Sequence, residues 1–160
     1  MAEELTLLKN VGRKEQYDSV MPQIEALISY ESDLIANLAN ISAALRQSLG
    51  FFWVGFYLNS GKDLVLGPFQ GDIACTRIGY DRGVCGASYS QQKTLIVADV
   101  EAFPGHIACS STSKSEIVVP IIKDGKIRLI LDVDSDKRDD FSELDQEYLE
   151  KLAELIANKL

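Results

Sequence analysis

Three Cys, one His and one Trp in 160 residues leave little with which to build a covalent or metal framework. An odd, small number of cysteines in a chain this long excludes a disulfide-stapled secreted scaffold. The expected compartment is the reducing cytoplasm, where a free cysteine either fills core or does chemistry. No C-x2-C knuckle accompanies His106, so a structural zinc site is not expected and the chain is read as metal-free. Cations are scarce as well: 16 Lys and Arg stand against 24 Asp and Glu, a net charge of −8. With no basic cluster, such a chain repels phosphate backbones, which excludes nucleic acid as a partner. No apolar run approaches the ~20 residues of a membrane span, and the N-terminus shows no signal-peptide core, so no membrane association is expected. Neither a G-x-S-x-G elbow nor a Walker or G-x-G-x-x-G loop occurs, which removes those hydrolase and nucleotide-binding classes.

What is there suffices for one compact domain over 1–160: hydrophobic residues make up 46% and charged residues 25%. Tyr17, Val20, Met21, Ile24, Leu27 and Ile28 recur at helical spacing, interrupted by Pro22, which either kinks the segment or marks a first turn. Ser32 is the expected N-cap of a second helix with the stripe Leu34, Leu38, Ile41 and Leu45, stopped by Gly50. The period then drops to 2. Residues 51–58 and 64–66 form a hairpin across an Asn-Ser-Gly-Lys-Asp turn. A glycine-rich middle carries short strands at 75–78 and 95–98, then an irregular loop over 103–115. Residues 117–122 and 127–133 pair across Asp124-Gly125. Ser142 caps a last helix with the stripe Leu144, Tyr148, Leu152, Leu155 and Ile156. Antiparallel hairpins flanked by terminal helices predict an α+β fold of about six strands, with the N- and C-terminal helices on one face.

Alternation on a strand brings three groups of chemically capable residues into view. Trp53, Gly55 and Tyr57 share one face of the first strand, while Phe52, Val54, Phe56 and Leu58 form an apolar face for the helices. The aromatic pair is either sheet cover or a ligand floor on which Gly55 leaves room. On the last strand Leu129, Leu131 and Val133 point one way. Asp132 and Asp134 point the other, with Cα atoms ~6.7 Å apart. Like charges that close oppose joint ionisation, so one carboxyl retains a proton more readily than usual. Glu116, at the start of the neighbouring strand, would make them three; the plain alternative is a solvated strand end. Cys75, Cys85 and Cys109 lie in or beside loops rather than in a stripe, which suits a nucleophilic thiol with resolving partners as well as it suits buried filler. His106 precedes Cys109 by three residues and would lower its pKa only if the ring turned towards the thiol, which the sequence does not show.

Taken together, WVGFYL (53–58), LGPFQG (66–71), AC-x-RI (74–78), GVCGAS (83–88), DV-x-x-FPGHIAC (99–109), SEIVVPI (115–121) and LDVDS (131–135) resemble the free methionine-(R)-sulfoxide reductases. The resemblance spans residues 15–156 and includes all three cysteines. It implies a single GAF domain, with Cys109 as nucleophile and Cys75 and Cys85 as resolving cysteines. It also implies a pocket of Trp53, Tyr57, Glu116, Asp132 and Asp134. Three positions depart from the family's habit: Ser110 follows the nucleophile where Asp is common, Leu129 stands where Gly is common, and Asp81 stands in a usual Gly position.

The resemblance further implies an oxidoreductase that needs no cofactor. Free methionine sulfoxide is its implied substrate, thioredoxin its reductant, and a homodimer its expected assembly. In chemical terms, Cys109 attacks the sulfoxide sulfur while a neutral carboxyl protonates the oxygen. The resulting sulfenic acid condenses with Cys85 or Cys75. The loop 99–115 is the expected lid, with hinges at Pro104-Gly105 and in the serine run. The alternative is a GAF sensor, of small molecules or of redox state, that does not turn over.

Overall fold

The computed structural model describes residues 4–160. Its elements run α1 (Arg13–Ser29), α2 (Leu34–Leu49), β1 (Trp53–Asn59), β2 (Leu64–Gln70), β3 (Arg77–Ile78), α3 (Gly83–Gln91), β4 (Leu95–Val97), β5 (Ser115–Lys123), β6 (Lys126–Ser135) and α4 (Glu143–Ala157). The six strands form one sheet in the order β3-β2-β1-β6-β5-β4, and every neighbouring pair is antiparallel. Among the described residues no helix is long and apolar enough to cross a membrane.

Helices α1, α2 and α4 cover one face. Val54, Phe56, Ile117, Val119, Leu129, Leu131 and Val133 meet Ile24, Leu38, Ile41, Leu45, Leu149 and Leu152 there in one core. Leu129 is thus repacked into the helix side, and the departure at this position leaves the opposite face untouched. The terminal helices lie where hydrophobic patterning predicts, with local differences. Asp33, not Ser32, caps α2, its side chain accepting from the Ala36 N–H. Gly50 closes that helix in the left-handed conformation, at φ 69°. Pro22 lies inside α1, not in its first turn; its ring nitrogen leaves the Asp18 carbonyl without an intrahelical donor. The buried stripe of α4 is Leu149, Leu152, Ala153 and Ile156, rotated from the expected one, because Asp145 turns inward. There Asp145 completes a capping box with Ser142 and takes the Tyr17 hydroxyl at 2.8 Å and the Arg13 guanidinium at 3.2 Å. That network ties the first helix to the last.

The opposite face carries the second core, built from Trp53, Tyr57, Ile78, Val84, Cys85, Val118 and Ile130. Helix α3 covers it, and hydrophobic patterning does not predict this helix. Phe52 packs here and not with the helix-side apolar face, because the chain is still bent at 52 and β1 begins only at Trp53.

Candidate active site

Strand register assembles the centre of the site. Trp53 pairs with Asp134 across β1 and β6, and Asp134 with Glu116 across β6 and β5. One step along, Gly55 pairs with Asp132 and Asp132 with Val118. Three carboxyl groups therefore emerge side by side on the face opposite the terminal helices. Glu116 and Asp132 are 7% and 6% exposed; Asp134 is half-buried.

Burial sets their chemistry. Desolvation, followed by the charges of Asp132 and Asp134, pushes Glu116 well above the usual carboxyl range. Asp134 is pushed well above it too, by burial and by Asp132. Asp132 rises only to about 6, burial being partly offset by hydrogen bonds from Glu116 and Cys85. The trio thus divides its labour: Asp132 gives up its proton more readily, and burial among the other carboxyl groups favours the protonated form of Glu116.

Helix α3 starts against these groups. Gly83, Val84 and Cys85 form its first turn and line the same cavity. Gly83 has φ +62°, a conformation that disfavours a side chain, and its N–H donates to the Gly105 carbonyl at 3.2 Å. The N-cap residue, Arg82, makes no side-chain cap, so the first-turn N–H groups of Val84 and Cys85 have no side-chain acceptor from it. Cys85 is buried and unbridged, its Sγ 3.9 Å from Glu116 Oε1. Burial and then the surrounding carboxylates push this thiol well above its ordinary pKa, which keeps it protonated.

The remaining two cysteines are bridged. Cys75 and Cys109 form a disulfide across 34 residues of sequence, with Cα atoms 5.2 Å apart. Cys109 lies in the loop that follows the 3-10 turn Val100–Ala102, and it lines the cavity with His106, Ile107, Ser110 and Ser113. The base of this loop is clamped. Val100 N–H donates to the Lys114 carbonyl at 3.0 Å, and Lys114 N–H donates to the Ser135 carbonyl at 2.8 Å. Arg138 reaches Asp99 and Glu101, each at 2.9 Å. Gly105, at the expected hinge, is in the left-handed conformation at φ +74°, and its carbonyl accepts from the Gly83 N–H. Ser110 takes over a local anchoring role, its hydroxyl accepting from the Thr112 N–H at 3.2 Å.

The aromatic pair serves the strap that carries Cys75. Trp53 Nε1–H donates to the Asp72 carbonyl at 2.9 Å, and the Tyr57 hydroxyl donates to the Cys75 carbonyl at 3.0 Å. Both rings are buried, and neither lines the cavity. Gly55 leaves its room to Phe69 and the Trp53 indole and not to a ligand: a Cβ there would stand 2.3 Å from Phe69 Cβ and 2.7 Å from Trp53 Cη2. Gly55→Ala is accordingly expected to lower stability by about 1–3 kcal/mol through overpacking, read as a fall in the urea midpoint. An unchanged midpoint would show that Phe69 and the indole give way freely.

Cys85, Cys109, Glu116, Asp132 and Asp134 thus line one cavity of about 40 Å³, while Cys75 closes it from outside through the bridge. Arg82, the first turn of α3 and Ser113 also line it. Sequence patterning misses Arg82, Val84 and Ser113; the glycine that opens a short helix, Gly83, was the available signal.

The sheet order and the two-sided helical cover define a GAF domain, and the GAF-domain family model matches residues 31–160. The chain is 57% identical, over 99% of its length and 100% of the relative's, to GAF domain-containing protein A of Dictyostelium discoideum. It is 38% identical, over 97% of its length and 91% of the relative's, to the free methionine-R-sulfoxide reductase of Saccharomyces cerevisiae. The X-ray structure of free methionine-R-sulfoxide reductase from Neisseria meningitidis in complex with its substrate superposes with a TM-score of 0.95. Identity to it is 46%, over 98% of this chain and 94% of that one. The chain belongs to the free methionine-R-sulfoxide reductase family, a family of oxidoreductases.

Proposed function

We propose that this protein reduces free L-methionine (R)-sulfoxide to L-methionine with Cys109 as nucleophile, Cys75 as resolving thiol and Glu116 as proton donor. The observation that carries the reading is the Cys75–Cys109 bridge over a cavity lined by three carboxyl groups. In the reduced protein the Cys109 thiolate attacks the sulfoxide sulfur. The carboxyl proton on Glu116 passes to the departing oxygen. Oxygen leaves the substrate as sulfenic acid on Cys109, and methionine is released. The Cys75 thiol then displaces water from that sulfenic acid to form the disulfide. The balance is one sulfoxide and two thiols to one thioether, one disulfide and one water.

A free amino acid suits this cavity. Its ammonium meets the ionised carboxylates, Asp132 first, and its carboxylate meets the uncapped N-terminus of α3. Trp53 and Tyr57 supply an apolar floor for the S-methyl group once reduction releases the Cys75 strap. A peptide-bound sulfoxide has neither end group to offer. The (R) preference rests on the family relatives. Thioredoxin is the proposed reductant, since the half-exposed bridge lies at the surface in reach of a protein dithiol. We place this single-domain chain, a homodimer by the habit of GAF domains, in the cytoplasm, where such reductants keep thiols reduced.

The decisive experiment gives fully reduced protein free methionine (R)-sulfoxide anaerobically, without reductant. One methionine per chain is expected, with loss of two thiols and a peptide map joining Cys75 to Cys109 while Cys85 stays free. Methionine release without thiol loss would refute the scheme, and no release at all would leave a GAF sensor.

A further inference from the structure

We infer that the cavity is also a chelating site for a thiophilic divalent cation of the zinc class, held by Cys85 Sγ, Glu116 and Asp132. One ligand atom from each of the three lies within 4.8 Å of the other two. The Cys85 sulfur and the nearer Glu116 oxygen are 3.9 Å apart. Tetrahedral coordination at ordinary zinc–sulfur and zinc–oxygen lengths needs ~3.6 Å between sulfur and oxygen and ~3.3 Å between oxygens, so the Cys85–Glu116 pair is within a few tenths of an ångström and the Asp132 oxygen closes by at most about 1.5 Å. All three side chains are at least nine-tenths buried, at 3%, 7% and 6% exposed.

A separate observation points to a missing ligand. Asp132 Oδ1 is buried and has no hydrogen-bond partner among the described residues, yet Asp132 is part of the cavity wall. A buried carboxyl oxygen left unpaired is costly. A cation in the cavity satisfies that oxygen.

The donor set selects the metal. One thiolate with two carboxylates in a space of about 40 Å³ suits zinc, cobalt or cadmium. Magnesium and calcium require six or more oxygens, which this pocket does not offer. Three protein ligands leave a fourth position open towards the cavity. Entry of the ion is an exchange without redox change: the Cys85 thiol proton and the carboxyl proton of the Glu116–Asp132 pair leave to solvent. Arg82, at the mouth, is exposed and its charge is screened by water.

The carboxyl groups that would hold the ion are the same ones that serve the sulfoxide oxygen and the ammonium. Occupancy therefore competes with substrate, a consequence that rests on the proposed function; the binding itself does not. The probe is Co2+, titrated anaerobically into the reduced full-length protein and read by the thiolate-to-cobalt charge-transfer band. One ion per chain is expected, displaced by Zn2+. The band persists in the Cys75→Ser, Cys109→Ser double variant and is lost in Cys85→Ser, which removes the thiolate of the site. Glu116→Gln, which keeps the side-chain shape, also weakens binding at least tenfold and preserves the test if the cysteine variant fails to fold. In turnover assays Zn2+ raises the apparent KM for the sulfoxide and leaves kcat unchanged. Absence of a thiolate band at millimolar Co2+ overturns the site. So does a band that survives Cys85→Ser and disappears in the double variant, because the ion would then sit on the bridged pair. An intact band in a protein that releases no methionine sinks the reductase reading and leaves the metal site standing.

Discussion

Cys109→Ser is expected to eliminate methionine release, with a loss of at least ~10³-fold in a single-turnover assay and an unchanged circular dichroism spectrum. A serine hydroxyl has no accessible anion near neutral pH, whereas a thiolate is available and intrinsically nucleophilic. The substitution should spare the fold, since Cys109 sits half-exposed in a loop whose base is fixed by backbone bonds from Val100 and Lys114. Nor can another cysteine stand in. The Cys85 thiol is held protonated by burial among carboxylates, and Cys75 lies on a strap outside the cavity wall. Residual single-turnover activity in this variant would move the nucleophile elsewhere.

The second large effect belongs to the carboxyl groups. Glu116→Gln should slow the chemical step by ~10²-fold, the usual contribution of one positioned acid. Asp132→Asn should act mainly on KM if Asp132 holds the ammonium. The pH profile tells the roles apart. A required acid is active while protonated, so the wild-type rate should fall as pH rises through the elevated pKa of Glu116. That descending limb should vanish in Glu116→Gln and survive in Asp132→Asn. Stability carries an opposite signature. Asp132 titrates at about 6 in the folded state, above its unfolded value. Its protonated form is therefore favoured by folding: that contribution is complete below about pH 4 and is lost as pH rises through about 6. Asp132→Asn removes the loss and should stabilise the protein by about 1–3 kcal/mol at pH 8, measurable as a higher melting temperature. Unchanged single-turnover rates in both variants near neutral pH would reduce the trio to a structural strand end.

Periodicity made the sheet and the terminal helices legible. Alternation alone put Asp132 and Asp134 on one face and Leu129, Leu131 and Val133 on the other, and the register adds Glu116 opposite Asp134. Helix α3 was hidden because its glycines look like breakers. Gly86 is there for close approach: a Cβ would stand 2.5 Å from the Gly79 carbonyl oxygen. Gly55 was misleading for a related reason, since a single strand does not reveal that Phe69 of β2 fills the space beside it. Which cysteine pairs with Cys109 depends on where a strap after β2 meets a loop before β5. Local pattern holds no record of that distance.

The Cys75–Cys109 bridge fastens the strap and the loop together over the cavity, and it ties up the sulfur that the proposed reaction needs. Two customers must therefore use one doorway in alternation. Under the proposed scheme the reductant opens it and departs before the sulfoxide enters, and the sulfoxide's own reduction shuts it again. Steady-state rates measured over both concentrations should give parallel double-reciprocal lines, and excess sulfoxide should not shield the oxidised protein from its reductant.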